Sequence, residues 1–184
     1  MGELGWTREV RYSLLLIGGR CGVGKSTVGW EVSAQLQQAS IAHCFIEGDF
    51  LDQAHPAPPG DPSRTELTRK NLAALWRNFA ELGYQRLIYT NTVSVLEPDM
   101  IVDAMNGDVK VTSVLLTAAD EIVNQRLGGR EIGSQLEAHI SRGTSMARYL
   151  AEHAPPEVVR IETGGRSVVE VAGDVVATTG WSGR

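Results

Sequence analysis

The sequence predicts an α/β fold in three layers, with a five-stranded, mainly parallel sheet between helices. Three observations predict it. Short apolar runs alternate with stretches of helical periodicity along the chain. Residues 12–17, Tyr-Ser-Leu-Leu-Leu-Ile, are apolar without a strand-like polar alternation, as expected of a strand buried on both faces. A glycine-rich turn and a helix start follow that run directly. The 184 residues hold no internal repeat, low-complexity tract or linker, so one domain spanning 1–184 is expected.

The elements follow in order. Strand one covers 12–17 and its helix runs from Lys25 to about Ala39. Strand two covers 42–47. A Pro- and Gly-rich loop, 53–61, leads to a helix with Ser63 as N-cap and Glu66 completing a capping box. Gly83 ends that helix. On it Asn71, Leu72, Leu75, Trp76 and Phe79 have the spacing of one buried face. Strand three covers 85–90. Glu97-Pro98 opens a helix that ends near Asn106-Gly107. Strand four covers 110–116, and Thr117 with Asp120 is read as the cap of the next helix, which ends near Gly128-Gly129. A longer helix spans 134–152, strand five 158–162 and a last helix 167–177.

Gly19-Arg20-Cys21-Gly22-Val23-Gly24-Lys25-Ser26 fits G-x-x-x-x-G-K-[ST], a phosphate-binding loop. Glycines let the backbone wrap an anion and turn its N–H groups inward. The helix N-terminus adds about half a positive charge. Gly19, Cys21, Gly22, Val23, Gly24, Lys25, Ser26 and Thr27 are therefore the expected nucleotide-binding residues. Lys25 would reach the β- and γ-phosphates and Ser26 would ligate Mg²⁺.

Composition narrows the partners. The net charge is −5 and no basic stripe is present, which argues against nucleic acid. No apolar run approaches the roughly 20 residues a membrane span needs, and 14–17 is too short for a signal peptide. Cys21 lies in a loop and Cys44 in a core strand, so no disulfide is expected and a reduced, cytoplasmic setting follows. A thiol in a phosphate-binding turn could be reactive.

From about residue 12 to 177 this pattern resembles the P-loop kinases of small molecules, the adenylate, shikimate, gluconate and adenylylsulfate kinases and the chloramphenicol phosphotransferase type. The resemblance implies a P-loop NTPase fold with a helical lid at about 126–145, and ATP and Mg²⁺ as cofactors. Phe45-Ile46-Glu47-Gly48-Asp49-Phe50-Leu51 looks like the acidic-Gly-Asp turn of gluconate and adenylylsulfate kinases. A carboxylate there can take the proton of an attacking hydroxyl or hold a metal-bound water. Asp49 is the catalytic and metal candidate, with Glu47 and Asp52 behind it. Arg126-Leu127-Gly128-Gly129-Arg130-Glu131 resembles the start of the lid. There Arg126 and Arg130, with Arg142 on the next helix, would close over the transferring phosphate, a task suited to guanidinium. Glu162-Thr163-Gly164-Gly165-Arg166-Ser167 resembles the loop that touches adenine, through Gly164 and Arg166. Equally, Ser167 could simply cap the last helix.

The chain departs from the common pattern at strand three, whose end, Thr90-Asn91-Thr92, has no Asp. The acceptor is expected against 51–70, with Asp52, His55, Arg64, Arg69 and Lys70. Sugar acids, adenylylsulfate, nucleosides, nucleotides and antibiotic hydroxyls are all compatible, and the Asp49 turn favours a hydroxyl. The leading reading is an ATP-dependent phosphotransferase acting on a small molecule. The alternatives are a nucleoside monophosphate kinase, an ATPase or nucleotide switch with a protein partner, and an inactive relative that only binds nucleotide.

Overall fold

The computed structural model describes residues 12–128 and 136–181, with side chains for all of these except 136–141. Five strands form one sheet: β1 (Tyr12–Gly18), β2 (Cys44–Glu47), β3 (Arg86–Thr90), β4 (Val109–Thr117) and β5 (Val159–Glu162). Their order is β2-β3-β1-β4-β5 and every pairing is parallel. The helices are α1 (Lys25–Gln38), α2 (Thr65–Glu81), α3 (Pro98–Met105), α4 (Asp120–Gly128), α5 (Leu136–His153) and α6 (Val168–Thr179).

The central strand explains the three layers. Successive side chains of a strand point to opposite faces. Leu14 and Leu16 join one core, which holds Leu72 and Trp76 of α2 and Ile101 and Met105 of α3. Leu15 and Ile17 join the other, which holds Val28, Val32 and Leu36 of α1 and Val171 and Val175 of α6. All four β1 residues are fully buried, and each such burial contributes about 1.5–3 kcal/mol. The apolar run thus serves two cores at once, which a half-buried strand would not.

Strand order sets the site. β1 and β3 are neighbours in register, with Ile17 opposite Thr90, and β2 pairs beyond, with Glu47 opposite Thr90. The turns after β1, β2 and β3 therefore leave the sheet side by side at its carboxyl edge, where ligands of open α/β sheets bind.

Three local expectations are corrected. Ser63 does not cap α2. Arg64 occupies the position before the helix with φ 59°, and the Asp61 carboxylate accepts the Leu67 N–H at 2.9 Å. Thr117 does not cap α4, because β4 runs through it and its hydroxyl donates to Glu162 Oε2 at 3.0 Å. The buried stripe of α2 is Thr68, Leu72 and Trp76, whereas Asn71 and Leu75 are exposed. The Ser167 cap of α6 is present with its Glu170 capping box. Of the lid segment at 126–145, residues 129–135, Arg130 among them, lie outside the described residues. No described helix is long and apolar enough to cross a membrane.

Candidate active site

The loop between β1 and α1 has backbone that only glycine adopts readily. Gly19 has φ 142°, and a Cβ there would lie 2.8 Å from the Leu116 carbonyl oxygen. Gly24, at φ 107°, precedes α1, which has no side-chain cap and no acidic residue in its first turn. The first N–H groups of the helix stay available and its positive end uncompensated, the arrangement that binds phosphate. Ser26 and Thr27 are exposed on that first turn.

Lys25 is buried, with 9 % of its surface exposed. Its ammonium donates to the Arg20 carbonyl and to Thr92 Oγ1, both at 3.3 Å. Burial lowers its pKa, opposed by the negative charge of Asp49, then Cys21 and Glu47. These long hydrogen bonds in a desolvated place leave the ammonium ready for a stronger anionic partner. Arg20, absent from the expected residues, anchors the loop from behind. It is 3 % exposed and paired with Asp120 of α4.

The carboxylate side lies opposite. Asp49 sits in a single 3₁₀ turn, Gly48–Phe50, directly after β2. Its Oδ1 accepts from Asn91 Nδ2 at 2.9 Å. Asn91 is itself fixed, because its Oδ1 accepts the Val93 N–H at 3.0 Å. The end of β3 lacks a carboxylate, and its two residues Asn91 and Thr92 instead hold Asp49 and face Lys25. Gly48 is required by close approach, since a Cβ there would collide with the Tyr89 hydroxyl. Glu47 Oε1 is buried with no hydrogen-bond partner. An orphaned carboxylate oxygen beside Lys25, with the exposed Ser26 hydroxyl and Asp49, is a hard-oxygen donor set that fits a nucleotide-bound Mg²⁺. Among the described residues no group of three or more His, Cys, Asp or Glu forms a self-contained metal site.

A cavity of about 270 Å³ opens on one side of the loop. Gly22, Val23, Gly24 and Thr27 line it, facing Thr163, Arg166 and Val168. Arg126, expected at the start of the lid, also lines it. Its Nη1 donates to the Val23 carbonyl at 3.1 Å and Thr163 Oγ1 at 3.0 Å, and its Nη2 to the Thr163 carbonyl at 3.0 Å. Thr163 Oγ1 in turn donates to the Val23 carbonyl at 3.2 Å. Arg126 therefore ties the phosphate loop to the end of β5. Arg166 is held by Asp174 at 2.7 Å. The Gly164 N–H donates to Glu162 Oε1 at 3.1 Å, and a Cβ there would meet Ile122 at 2.7 Å.

A second cavity, also about 270 Å³, lies between α2, β3 and α3. Asp52 and Glu97 supply carboxylates, and Ser63, Thr65, Thr68 and Ser94 supply hydroxyls. Tyr89 and Asn91 complete the polar wall, and Val93, Met100 and Ile101 the apolar one. Asn91 is thus shared between this cavity and Asp49. Burial raises the pKa of the Tyr89 phenol, and the charges of Asp49, Glu97 and Asp52 add to the rise. Glu97 was legible only as a helix opener, and Tyr89 only as a strand residue.

Other expected acceptor contacts lie elsewhere. Arg69 is bidentate to Glu66, at 2.7 Å for both bonds, and Lys70 pairs with the same carboxylate at 3.5 Å. His55 and Arg64 line a neighbouring hollow with Asp52, where Arg64 Nε donates to the Ala54 carbonyl. Arg142 lines a further hollow with Cys21, Thr92 and Met146. Cys21 is exposed and Cys44 buried, and neither is in a disulfide.

No protein-family model matches the chain, and no curated protein matches its sequence. Solved structures do match. A gluconokinase from Sinorhizobium meliloti 1021 superposes with a TM-score of 0.60 at 18 % identity, over 94 % of this chain and 93 % of that one. A tunicamycin resistance protein from Deinococcus radiodurans gives 0.62 at 21 %, over 94 % and 98 %. An APS kinase from Mycobacterium tuberculosis, in complex with AMPPNP and APS, gives 0.54 at 19 %, over 91 % and 97 %. With its five-stranded parallel sheet, its six described helices and a glycine-rich loop between β1 and α1, the chain has the fold of the P-loop small-molecule kinases.

Proposed function

We propose that the protein is an ATP-dependent kinase that transfers the γ-phosphoryl group to a hydroxyl of a small molecule. The observation that carries this reading is the Asp49–Asn91 pair, at 2.9 Å. It stands between a buried lysine in a phosphate loop and a separate polar cavity, so donor and acceptor have distinct places that meet at one carboxylate.

The triphosphate lies on residues 19–27, with Lys25 neutralising charge on the β- and γ-phosphates. The base enters the cavity beside Arg126, Thr163 and Arg166, where an arginine plane can stack on it. The acceptor hydroxyl sits at the Asn91 edge of the second cavity. As its oxygen attacks the γ-phosphorus, Asp49 takes the hydroxyl proton. The bond from the γ-phosphorus to the bridging oxygen breaks, and ADP leaves with that electron pair. Ser26, Glu47 and Asp49 would hold Mg²⁺, which supplies charge neutralisation at the phosphates when bound. Arg130 and Arg142 are the candidates to cover the transferring group, with Arg126 supporting the base instead.

The test is ADP release from Mg²⁺·ATP over a panel of hydroxylated acceptors, with Lys25→Ala and Asp49→Asn beside the wild type. A productive acceptor raises ADP release, and Lys25→Ala removes the effect together with ATP binding. Asp49→Asn keeps ATP binding and lowers turnover by about 10²–10⁴-fold, the usual contribution of a positioned base. Full turnover in Asp49→Asn would remove Asp49 from this role.

A further inference from the structure

The lining of the second cavity carries a charge pattern that bears on the acceptor. Its ionisable lining is acidic, from Asp52 and Glu97, with the Asp49 carboxylate beyond Asn91. Among the described residues no Lys, Arg or His lines it. The nearby cations are engaged elsewhere: Arg64 donates to the Ala54 carbonyl in the next hollow, and Arg69 and Lys70 are paired with Glu66. An anion in such a place would face two carboxylates with no Lys, Arg or His among the described residues of its lining. The rest of the wall is hydroxyl-rich through Ser63, Thr65, Thr68 and Ser94, opposite the apolar Val93 and Ile101. Hydroxyl side chains both donate and accept, which matches a polyol.

We propose that the acceptor carries no negative charge. It is a neutral or cationic polyhydroxylated molecule with one apolar face, of the amino-sugar or nucleoside kind, and neither a sugar acid nor a nucleotide. This rests on the kinase reading above for the word acceptor, while the charge preference belongs to the cavity itself. An ammonium on the molecule would meet Asp52 and Glu97, and its hydroxyls the Ser and Thr side chains. Carboxylate or phosphate on the same skeleton would be disfavoured by charge repulsion.

Two measurements decide it. The first is transfer of labelled γ-phosphate from Mg²⁺·ATP to matched acceptors that differ in charge: glucosamine, glucose and gluconate, and adenosine beside its 5′-monophosphate. The proposal expects kcat/KM for a neutral or cationic member to exceed its anionic partner at least tenfold. Asp52→Asn with Glu97→Gln should shrink the cation-over-anion ratio. An anionic member used as well as its partner overturns the charge inference and leaves the kinase reading intact.

The second measurement needs no known acceptor. Amide relaxation in ¹⁵N-labelled protein is recorded with an amino-substituted and a carboxy-substituted nitroxide as freely diffusing probes. At Thr65, Thr68 and Ser94 the cation-to-anion enhancement ratio should be at least twofold above the mean of the remaining amides. It should fall toward that mean in the Asp52→Asn/Glu97→Gln variant. A ratio at or below the mean overturns the inference. If no acceptor of any charge is labelled while the ratio is high, the kinase reading fails and the cavity's preference for uncharged or cationic ligands stands.

Discussion

Arg126→Ala separates two roles that the same residue could have played. As a lid arginine it would act only on the transferring phosphate. As found, it makes three hydrogen bonds of 3.0–3.1 Å that tie Val23 in the phosphate loop to Thr163 after β5. A hydrogen bond to a charged group is worth about 1.5–3 kcal/mol when isolated. The three share one half-buried guanidinium, and Val23 keeps its bond from Thr163 Oγ1, so they are not additive. A total of about 2–3 kcal/mol follows, which for a chain of this size lowers Tm by roughly 5–10 °C. Because the tie holds the wall of the cavity proposed for the base, ATP affinity should fall about 10–100-fold. Thermal unfolding and calorimetric titration with ATP read both effects without any acceptor. Thr163→Ala should weaken both less, and the double variant should lose less than the sum of the two. If Arg126→Ala leaves Tm and ATP affinity unchanged and only slows phosphoryl transfer, the tie is wrong and the residue belongs to the lid.

Three further perturbations follow from the same geometry. Lys25→Met should abolish ATP binding yet raise the stability of the unliganded protein at pH 7 by about 1–2 kcal/mol, since it removes a buried charge. Burial lowers the Lys25 pKa below its ordinary 10.5, so the unfolded chain binds the extra proton between the lowered value and 10.5. Wild-type stability therefore gains on the variant as pH rises through that window, and denaturant titrations at pH 7 and 10 should show the gap closing. Gly48→Ala drives a Cβ into the Tyr89 hydroxyl and ring and should cost about 1–3 kcal/mol by overpacking, with little recovered in Gly48→Ala/Tyr89→Phe because the ring Cζ contact remains. Iodoacetamide should alkylate the exposed Cys21 in the native protein, more slowly with ATP bound. Cys44, buried and with its thiol pushed up to about 12, should react only on unfolding, and mass spectrometry of the labelled peptides distinguishes the two.

The parts of the fold that were legible are those written in contiguous residues. The β1 run, the glycine loop and the start of α1 lie within one stretch, and the Ser167–Glu170 box spans four residues, so local chemistry determines each. Ser63 and Thr117 misled because a neighbour outcompeted them: Asp61 accepts the Leu67 N–H, and β4 extends far enough to give the Thr117 hydroxyl to Glu162. Arg126 could be identified as a functional candidate but its partners could not. Val23 and Thr163 lie 103 and 37 residues away and are brought to it by the sheet order. The second cavity was legible only through Asp52 in the 51–70 segment, for the same reason. Asp52, Thr68, Tyr89 and Glu97 come from four separate elements or turns, and none carries a local pattern. By contrast the Glu66 pairing of Arg69 and Lys70 follows from spacings of three and four on a helix, which could have removed both from the expected acceptor contacts.

The proposed kinase moves a phosphoryl group from ATP to another molecule and does not spend it on water. The most direct measurement is ³¹P NMR of the reaction of the full chain with Mg²⁺·ATP and the neutral and cationic acceptors. Under the proposed function a new phosphomonoester resonance grows in step with ADP and is absent in Lys25→Ala. Orthophosphate growing in step with ADP, with no monoester from any acceptor, would contradict it and mark the protein as an ATPase.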